Sequence, residues 1–339
     1  MMVPSAKDCQ YIWVRNHPKH LEFARLVAEH ECAAYPAWAA ARSQIVRNLA
    51  SRLTPLPAPR GRASCYLVEA TGGLPALPSR ERRNVAVILY NCDQTFFDFP
   101  RLPNWKRRIF QSYLKDVDGF LSPTAYMEDL AKQWYPNAKH AVFDLYAETS
   151  TWGTFRYCPE NVDFLYVGRL DAYKNQALLI EAFKEIRRRH SLGNKLVFLG
   201  NVHPDYRATI EPMLDPTISI SGWVDRPWEK IPSSAGYYFN LARHEPSGTN
   251  ILEMLAAGIP TIVSEGCGYK EILRQIDPHL VVPLDLEAVI KAWEYLHFEL
   301  GRDGREQLSM RLKQEARSWT RERAIDAFRS AWASMFDPA

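Results

Sequence analysis

The sequence predicts an α/β protein of two domains, each a parallel sheet covered by helices on both faces, with the two sheets facing across a cleft. Three observations carry this expectation. Apolar runs of strand length alternate with helix-period stretches along the 339 residues, and that alternation builds parallel sheets with crossover helices. A chain of this length exceeds the size at which one hydrophobic core usually stops growing. The most distinctive charged and glycine-containing motifs directly follow apolar runs, which places them at the carboxyl ends of strands, where open α/β sheets bind ligands.

In chain order, Tyr11-Ile12-Trp13-Val14 reads as a strand, Pro18 to His30 as a helix, and Pro36 to Leu53 as a second helix. Pro55, Pro57, Pro59 and Gly61 mark a loop. Ser64 to Glu69 and Val85 to Tyr90 read as buried strands, separated by an excursion that contains Gly72-Gly73. Trp105 to Leu114 and Thr124 to Trp134 read as helices, with Gly119 to Ser122 and Ala141 to Phe143 as short strands. Past a connector at Ser150 to Glu160, strands are expected at Val162 to Val167, Lys195 to Leu199, Thr217 to Ile220, Tyr237 to Leu241, Thr261 to Ser264 and Val281-Val282. Between them, Gln176 to His190 is a helix with Arg187 to Arg189 in its last turn and Gly193 as its stop. Asn250 to Ala257 is a helix closed by Gly258 and Pro260, and Thr320 to Met335 is a final helix. The expected domains are 1–152, 153–317 and a terminal segment 318–339 that returns to the first domain.

Composition narrows the function. Hydrophobic and charged contents of 47% and 24% are ordinary for a globular protein. A net charge of +3 is too mild to argue for nucleic acid. Six cysteines (9, 32, 65, 92, 158 and 267) form no Cys-x-x-Cys pair, so neither a zinc site nor a disulfide scaffold is implied. Met1 to Gln10 lacks the apolar core of a signal peptide, and no apolar run approaches the ~20 residues needed to span a bilayer. The expected location is the cytoplasm, either free or peripheral on the inner membrane face.

Two segments carry the chemistry. Val167-Gly168-Arg169-Leu170-Asp171-Ala172-Tyr173-Lys174-Asn175 runs from a strand end into a helix and holds two cations suited to flank a diphosphate. Taken alone, Arg169 and Lys174 are more often solvated cations paired with Asp171 or Glu181. Arg243 to Glu253 follows another strand, with Ser247, Gly248, Thr249 and Asn250 opening a helix whose free N–H groups suit phosphate or sugar oxygens. Glu245 and Glu253 stand eight positions apart as acceptors for sugar hydroxyls, against the plainer reading of helix capping. In the first half, His17, His20 and Asp93 are the titratable groups at strand ends; Asp93 either orients an acceptor hydroxyl or caps the turn that follows it. The basic, aromatic run Trp105-Lys106-Arg107-Arg108-Ile109-Phe110 suits an anionic membrane or, more plainly, the surface of its own domain.

These segments resemble family 4 of the retaining glycosyltransferases, which have the GT-B fold of two Rossmann-like domains. Gly168-Arg169-Leu170 with Lys174-Asn175 is similar to that family's phosphate-binding element, Glu245 to Glu253 to its Glu-x7-Glu motif, and Met254 to Pro260 to the helix and stop that follow. Gly266 to Glu271 and Ser318-Trp319 resemble its next loop and its crossing tail. The resemblance covers roughly residues 160 to 335 and, before that, only the strand–helix rhythm. It implies that Arg169 and Lys174 hold the donor diphosphate, Glu245 the transferred sugar and Glu253 the ribose, with backbone at Gly222-Trp223-Val224 meeting the base. It further implies a UDP- or GDP-sugar donor, a glycan, lipid-linked or small-molecule acceptor, and no metal. The sequence departs from the family at Ser247, where an aromatic is common, at Arg15-Asn16-His17-Pro18, which lacks glycines, and at Asn91-Cys92-Asp93, where many relatives carry histidine. Two other functions fit the same motifs: a sugar-nucleotide epimerase of this fold, and a non-catalytic nucleotide-sugar-binding protein. A nicotinamide oxidoreductase does not, because no Gly-x-Gly-x-x-Gly follows a strand.

Overall fold

The computed structural model describes residues 4–14, 17–39, 46–47, 49–50, 65–77 and 85–337. The expected loop at Pro55 to Gly61, Arg15-Asn16, and most of the expected Pro36 to Leu53 helix lie outside the described residues. The chain forms two compact units, Met1–Asp144 with Ala324–Ala339, and Leu145–Arg323. The sequence reading set its boundaries at 152/153 and 317/318; the units meet along the chain at 144/145 and 323/324.

The first unit holds a parallel sheet of six strands: β1 (Cys9–Trp13), β2 (His30–Ala33), β3 (Cys65–Glu69), β4 (Ala86–Tyr90), β5 (Gly119–Ser122) and β6 (Lys139–Val142), in the order β2-β1-β3-β4-β5-β6. Strand side chains alternate between faces. Ile12, Val68, Val87, Leu89 and Phe120 enter one core with Phe96, Phe99 and Leu114. Elsewhere in the unit Phe23, Tyr90, Phe143 and Phe328 meet ring to ring at 4.8–5.3 Å. Phe328 belongs to the last helix, Arg321–Ser334. Lys139 Nζ donates to Met335 O at 3.0 Å, just past that helix, so the terminal segment is built into this unit.

The second unit holds β7 (Asp163–Val167), β8 (Leu196–Leu199), β9 (Ile218–Ile220), β10 (Ala235–Asn240), β11 (Thr261–Ser264) and β12 (Val281–Val282), in the order β12-β11-β10-β7-β8-β9. All pairs are parallel. The order reverses between β7 and β10, the arrangement of doubly wound nucleotide-binding sheets, whose ligands sit at that reversal. Phe164 stacks on Phe239 at 4.6 Å, and Trp293 packs 6.0 Å from Tyr237, filling one face with aromatic rings.

Several elements differ from the sequence reading. The Pro18–Ala24 helix stops a turn and a half early, and His30–Ala33 is an edge strand. Only one side of such a strand is paired, so it needs no clear alternation of apolar residues. Ser191, in the left-handed region at φ 52°, ends the Gln176–His190 helix in place of Gly193. Helices at Pro204–Ile210, Lys270–Ile276, Leu286–Glu294 and Gly301–Ala316 were not anticipated. The last two flank a π-helical turn at Tyr295–Glu299. Buried Arg305 donates to the carbonyls of Leu296 at 3.1 Å and His297 at 2.8 Å, and to Pro159 O at 2.6 Å.

Two predictions follow from this packing. A methyl group at Gly200 would stand 1.9 Å from the Gly168 carbonyl oxygen, which is backbone and cannot swing away. Gly200→Ala is expected to cost about 3 kcal/mol of stability, read as a lower melting temperature. His297 stacks on Trp293 at 4.6 Å with its Nδ1 2.7 Å from the Tyr237 hydroxyl. Burial, then the Arg305 charge, pushes its pKa from 6.5 down to about 4. The unfolded chain therefore binds this proton through a pH range where the folded chain does not, and stability falls as pH drops from 6.5 towards 4. The ring is only partly buried, so the loss is about 1–2 kcal/mol. His297→Gln should flatten the melting temperature over that range.

Candidate functional site

The site of the second unit is made by two loops that leave β7 and β10. Past Val167 the chain turns at Gly168, whose φ of +135° suits only glycine, and Gly168 N donates to Leu199 O at 2.9 Å. Asp171, 6% exposed, organises the rest. Its Oδ2 accepts from Arg169 Nε at 2.8 Å and Nη2 at 2.7 Å, and its Oδ1 accepts from the amides of Tyr173 and Lys174, both at 3.0 Å. Arg169 is thus paired with Asp171, as the plainer reading had it, while its side chain stays 55% exposed. Asn175, at φ 57°, then starts the Gln176–His190 helix.

On the other strand, Glu245 forms a short parallel bridge with Cys267: Glu245 N donates to Gly266 O and Gly268 N to Glu245 O, each at 2.9 Å. A side chain at Gly266 would strike the carbonyls of Arg243 and Ala242 at 2.5 and 2.6 Å, so only glycine admits this crossing. Glu245 Oε1 accepts from Gly248 N at 3.3 Å, and Gly248, at φ +39°, opens the Thr249–Ala257 helix. The plainer reading of Glu245 as a partner for the start of this helix therefore holds, but its second oxygen has another role. Glu245 Oε2 pairs with Lys174 Nζ across the two loops. The side chains are 17% exposed for Lys174 and 9% for Glu245, so this pair is largely dry.

Two further bonds lock the loops together. Arg243 N donates to Tyr173 O at 2.7 Å, and Asn250 Nδ2 donates to Val167 O at 2.7 Å. Asn250 Oδ1 is buried and has no partner among the described residues. The structure thus brings Gly168, Arg169, Lys174, Glu245, Ser247, Gly248, Thr249 and Asn250 to one end of the sheet. Glu253 lies one turn further along the same helix, partly buried. Gly222, Trp223 and Val224 follow β9, two strands away from β7. Trp223 is 72% exposed with its indole N–H donated to Asp225 at 2.7 Å, beside a cavity of about 690 Å³ that Val224 also lines.

The first unit has its own polar cluster. His17 is exposed and precedes the Pro18–Ala24 helix, its ring 4.7 Å from that of His20. His20 Nδ1 lies 2.6 Å from Glu69 Oε1, and the other oxygen of Glu69 accepts from Val14 N at 2.6 Å. Glu69 is fully buried. The sequence reading missed it, although a single carboxylate closing the apolar run Cys65–Glu69 was a legible signal. His20, Glu69 and Cys92 bring donor atoms within 4.8 Å of one another, the one such group of three among the described residues. Asp93 accepts from Thr71 N at 2.9 Å, Thr71 Oγ1 at 2.7 Å and Thr95 N at 3.0 Å, which is the turn-capping role. It borders a cavity of about 550 Å³ lined also by Val14, Tyr35, Thr71, Thr95 and Phe110.

Comparison with known proteins agrees with this architecture. Residues 161–297 match a family described as Glycosyl transferases group 1, which covers the loops after β7 and β10 but less than half of the chain. No curated protein sequence matches the chain. Among solved structures, a glycosyltransferase from Rickettsia africae ESF-5 aligns over 98% of this chain and 99% of its own, with a TM-score of 0.66 at 12% identity. The sucrose-phosphate synthase from Thermosynechococcus elongatus aligns over 79% of this chain and 72% of its own, at a TM-score of 0.63 and 16% identity. An E. coli trehalose-6-phosphate structure bound with UDP-2-fluoro glucose aligns over 85% of this chain and 77% of its own, at 0.63 and 12%. The two parallel six-stranded sheets with their helices are the α/β architecture of GT-B glycosyltransferases.

Proposed function

We propose that this chain transfers a sugar from a nucleoside diphosphate sugar, UDP- or GDP-linked, to an acceptor hydroxyl with retention of anomeric configuration. The observation that carries this reading is the meeting of Arg169, Lys174, Glu245 and the start of the Thr249–Ala257 helix where the strand order reverses. The match of residues 161–297 to the group 1 glycosyl transferases supports it.

Charge develops on the leaving diphosphate as the glycosidic bond breaks, and groups fixed in advance stabilise it most. Arg169, exposed and steadied by Asp171, supplies a planar donor fork for phosphate oxygens. Lys174 supplies a point charge whose direction Glu245 sets. The first amides of the Thr249–Ala257 helix, beside Ser247 and Gly248, add unpaired N–H groups and the positive end of the helix dipole. Glu245 orients a hydroxyl of the transferred sugar, Glu253 the ribose, and the backbone at Gly222-Trp223-Val224 the base. In this scheme the side-chain cations neutralise the diphosphate and no metal takes part. The acceptor, a glycan, a lipid-linked sugar or a small molecule, is bound by the first unit, with His17 and Asp93 on its side; both Asp93 oxygens are already accepting hydrogen bonds. Its setting is the cytoplasm.

Arg169→Ala is expected to lower turnover about 100-fold or more, and to lower the melting temperature because it leaves Oδ2 of the largely buried Asp171 without its cation. Lys174→Ala should lower turnover similarly and also cost stability, since it strands the largely buried Glu245 carboxylate. Turnover near the parent's in both variants contradicts the scheme. Product analysis separates the alternatives: an epimerase converts the donor without an acceptor, and a binding protein converts nothing. Chelation should leave turnover unchanged; loss on chelation, restored by a divalent ion, would refute the metal-free scheme.

A further inference from the structure

We infer that the Asn104–Leu114 helix is a docking surface for an anionic lipid bilayer. The argument begins with charge. Between Phe99 and Lys115 the chain carries Arg101, Lys106, Arg107, Arg108 and Lys115 and no Asp or Glu. Asp98 precedes this run and Asp116 and Asp118 follow it, so residues 98–118 keep a local excess of +2, with Lys106, Arg107 and Arg108 grouped on the helix and the carboxylates outside it.

The helix divides this segment into two faces. Phe110, Tyr113 and Leu114 turn inward onto the core of the first unit. Trp105, Arg108, Ile109, Ser112 and Lys115 are all exposed and follow helical spacing, so they share the opposite face, with Lys106 at its margin. Trp105 is 57% exposed and Ile109 42% exposed, one turn apart. Single exposed apolar side chains are common on protein surfaces, but a tryptophan and an isoleucine one turn apart among cations match the boundary between headgroups and acyl chains, a depth that tryptophan favours.

A second cation run shows what a merely solvated face looks like. Arg188 and Arg189 pair with Glu185, Arg189 also pairs with Glu287, and Arg187 donates to Thr217 Oγ1 at 2.8 Å. In the Asn104–Leu114 helix no carboxylate pairs with Lys106, Arg107 or Arg108 among the described residues. Arg107 is spent on the helix itself, donating to Asn104 and lying 5.7 Å over the Trp134 ring. Lys106 lies 5.4 Å from the Trp105 ring, so charge and aromatic surface are presented together. Lys106 and Arg108, which pair with no carboxylate among the described residues and stand beside two apolar side chains, fit lipid phosphates above and acyl chains below. This surface belongs to the first unit and the diphosphate site to the second.

The test is flotation of the whole chain with phosphatidylcholine vesicles and with vesicles that also contain phosphatidylglycerol. The chain should float with the anionic vesicles, roughly tenfold less with the neutral ones, and progressively less as salt is raised. Lys106→Glu with Arg108→Glu should abolish flotation, and Trp105→Ser with Ile109→Ser should reduce it at least several-fold. All four side chains are exposed, so both variants should keep the parent melting temperature and its rise with donor nucleotide, which separates failure here from failure at the diphosphate site. The inference is overturned by no flotation with either vesicle, by equal flotation with both, or by charge reversal without effect. A concentration-dependent dimer lost in the Trp105→Ser/Ile109→Ser chain would also overturn it, by assigning the face to a second copy.

Discussion

The ion pair between Lys174 and Glu245 ties together two loops that sequence separates by 71 positions. Both groups are largely removed from water, and desolvation of two charges is offset only when their remaining hydrogen bonds are satisfied. Here they are. Asp171 fixes the Lys174 amide, and the Gly248 amide takes the other oxygen of Glu245. Such a pair adds little net stability over apolar packing. Its effect is positional: an ammonium and a carboxylate are held at set spacing beside the start of the Thr249–Ala257 helix, with the Asn250 bond to Val167 keeping that helix in place.

The same logic appears in both sheets, with different chemistry. A parallel sheet whose strand order reverses leaves a gap between two carboxyl ends, and side chains from both loops meet there. In the second unit the reversal lies between β7 and β10 and gathers Arg169, Lys174 and Glu245. In the first it lies between β1 and β3 and gathers Val14, His20 and the buried Glu69. The second gathers two cations, each held by a carboxylate, at the start of the Thr249–Ala257 helix, whose positive end suits an anion. The first gathers one imidazole and one carboxylate that already hold each other.

How far the sequence could be read follows from where each element's signal lies. In the second unit β7 and β11, the Gln176–His190 helix and the motif loops were legible because apolar runs end abruptly in glycine and charge. The pairing of Arg169 with Asp171 was anticipated as the plainer alternative; the partner of Lys174 was not, because a contact across 71 positions leaves no local trace. Leu286–Glu294 and Gly301–Ala316 were missed where a π turn breaks the helical period and Gly301 and Gly304 weaken the propensity. β2 was missed, with only its first residue, His30, placed at the end of a helix, because His30–Ala33 lacks alternation at the sheet edge. Asp93 illustrates the limit of reading titratable residues by position alone: its oxygens take the Thr71 and Thr95 amides, so it holds two turns in place.

The central claim is that a diphosphate docks where the loops after β7 and β10 meet. Calorimetric titration of the chain with UDP and with GDP, repeated on Arg169→Ala, tests it most directly. The account predicts saturable one-to-one binding of one nucleotide, weakened roughly ten- to hundredfold by the substitution, since a charge-assisted phosphate contact contributes about 1.5–3 kcal/mol. Absence of binding by both nucleotides, or equal affinity in parent and variant, would contradict it.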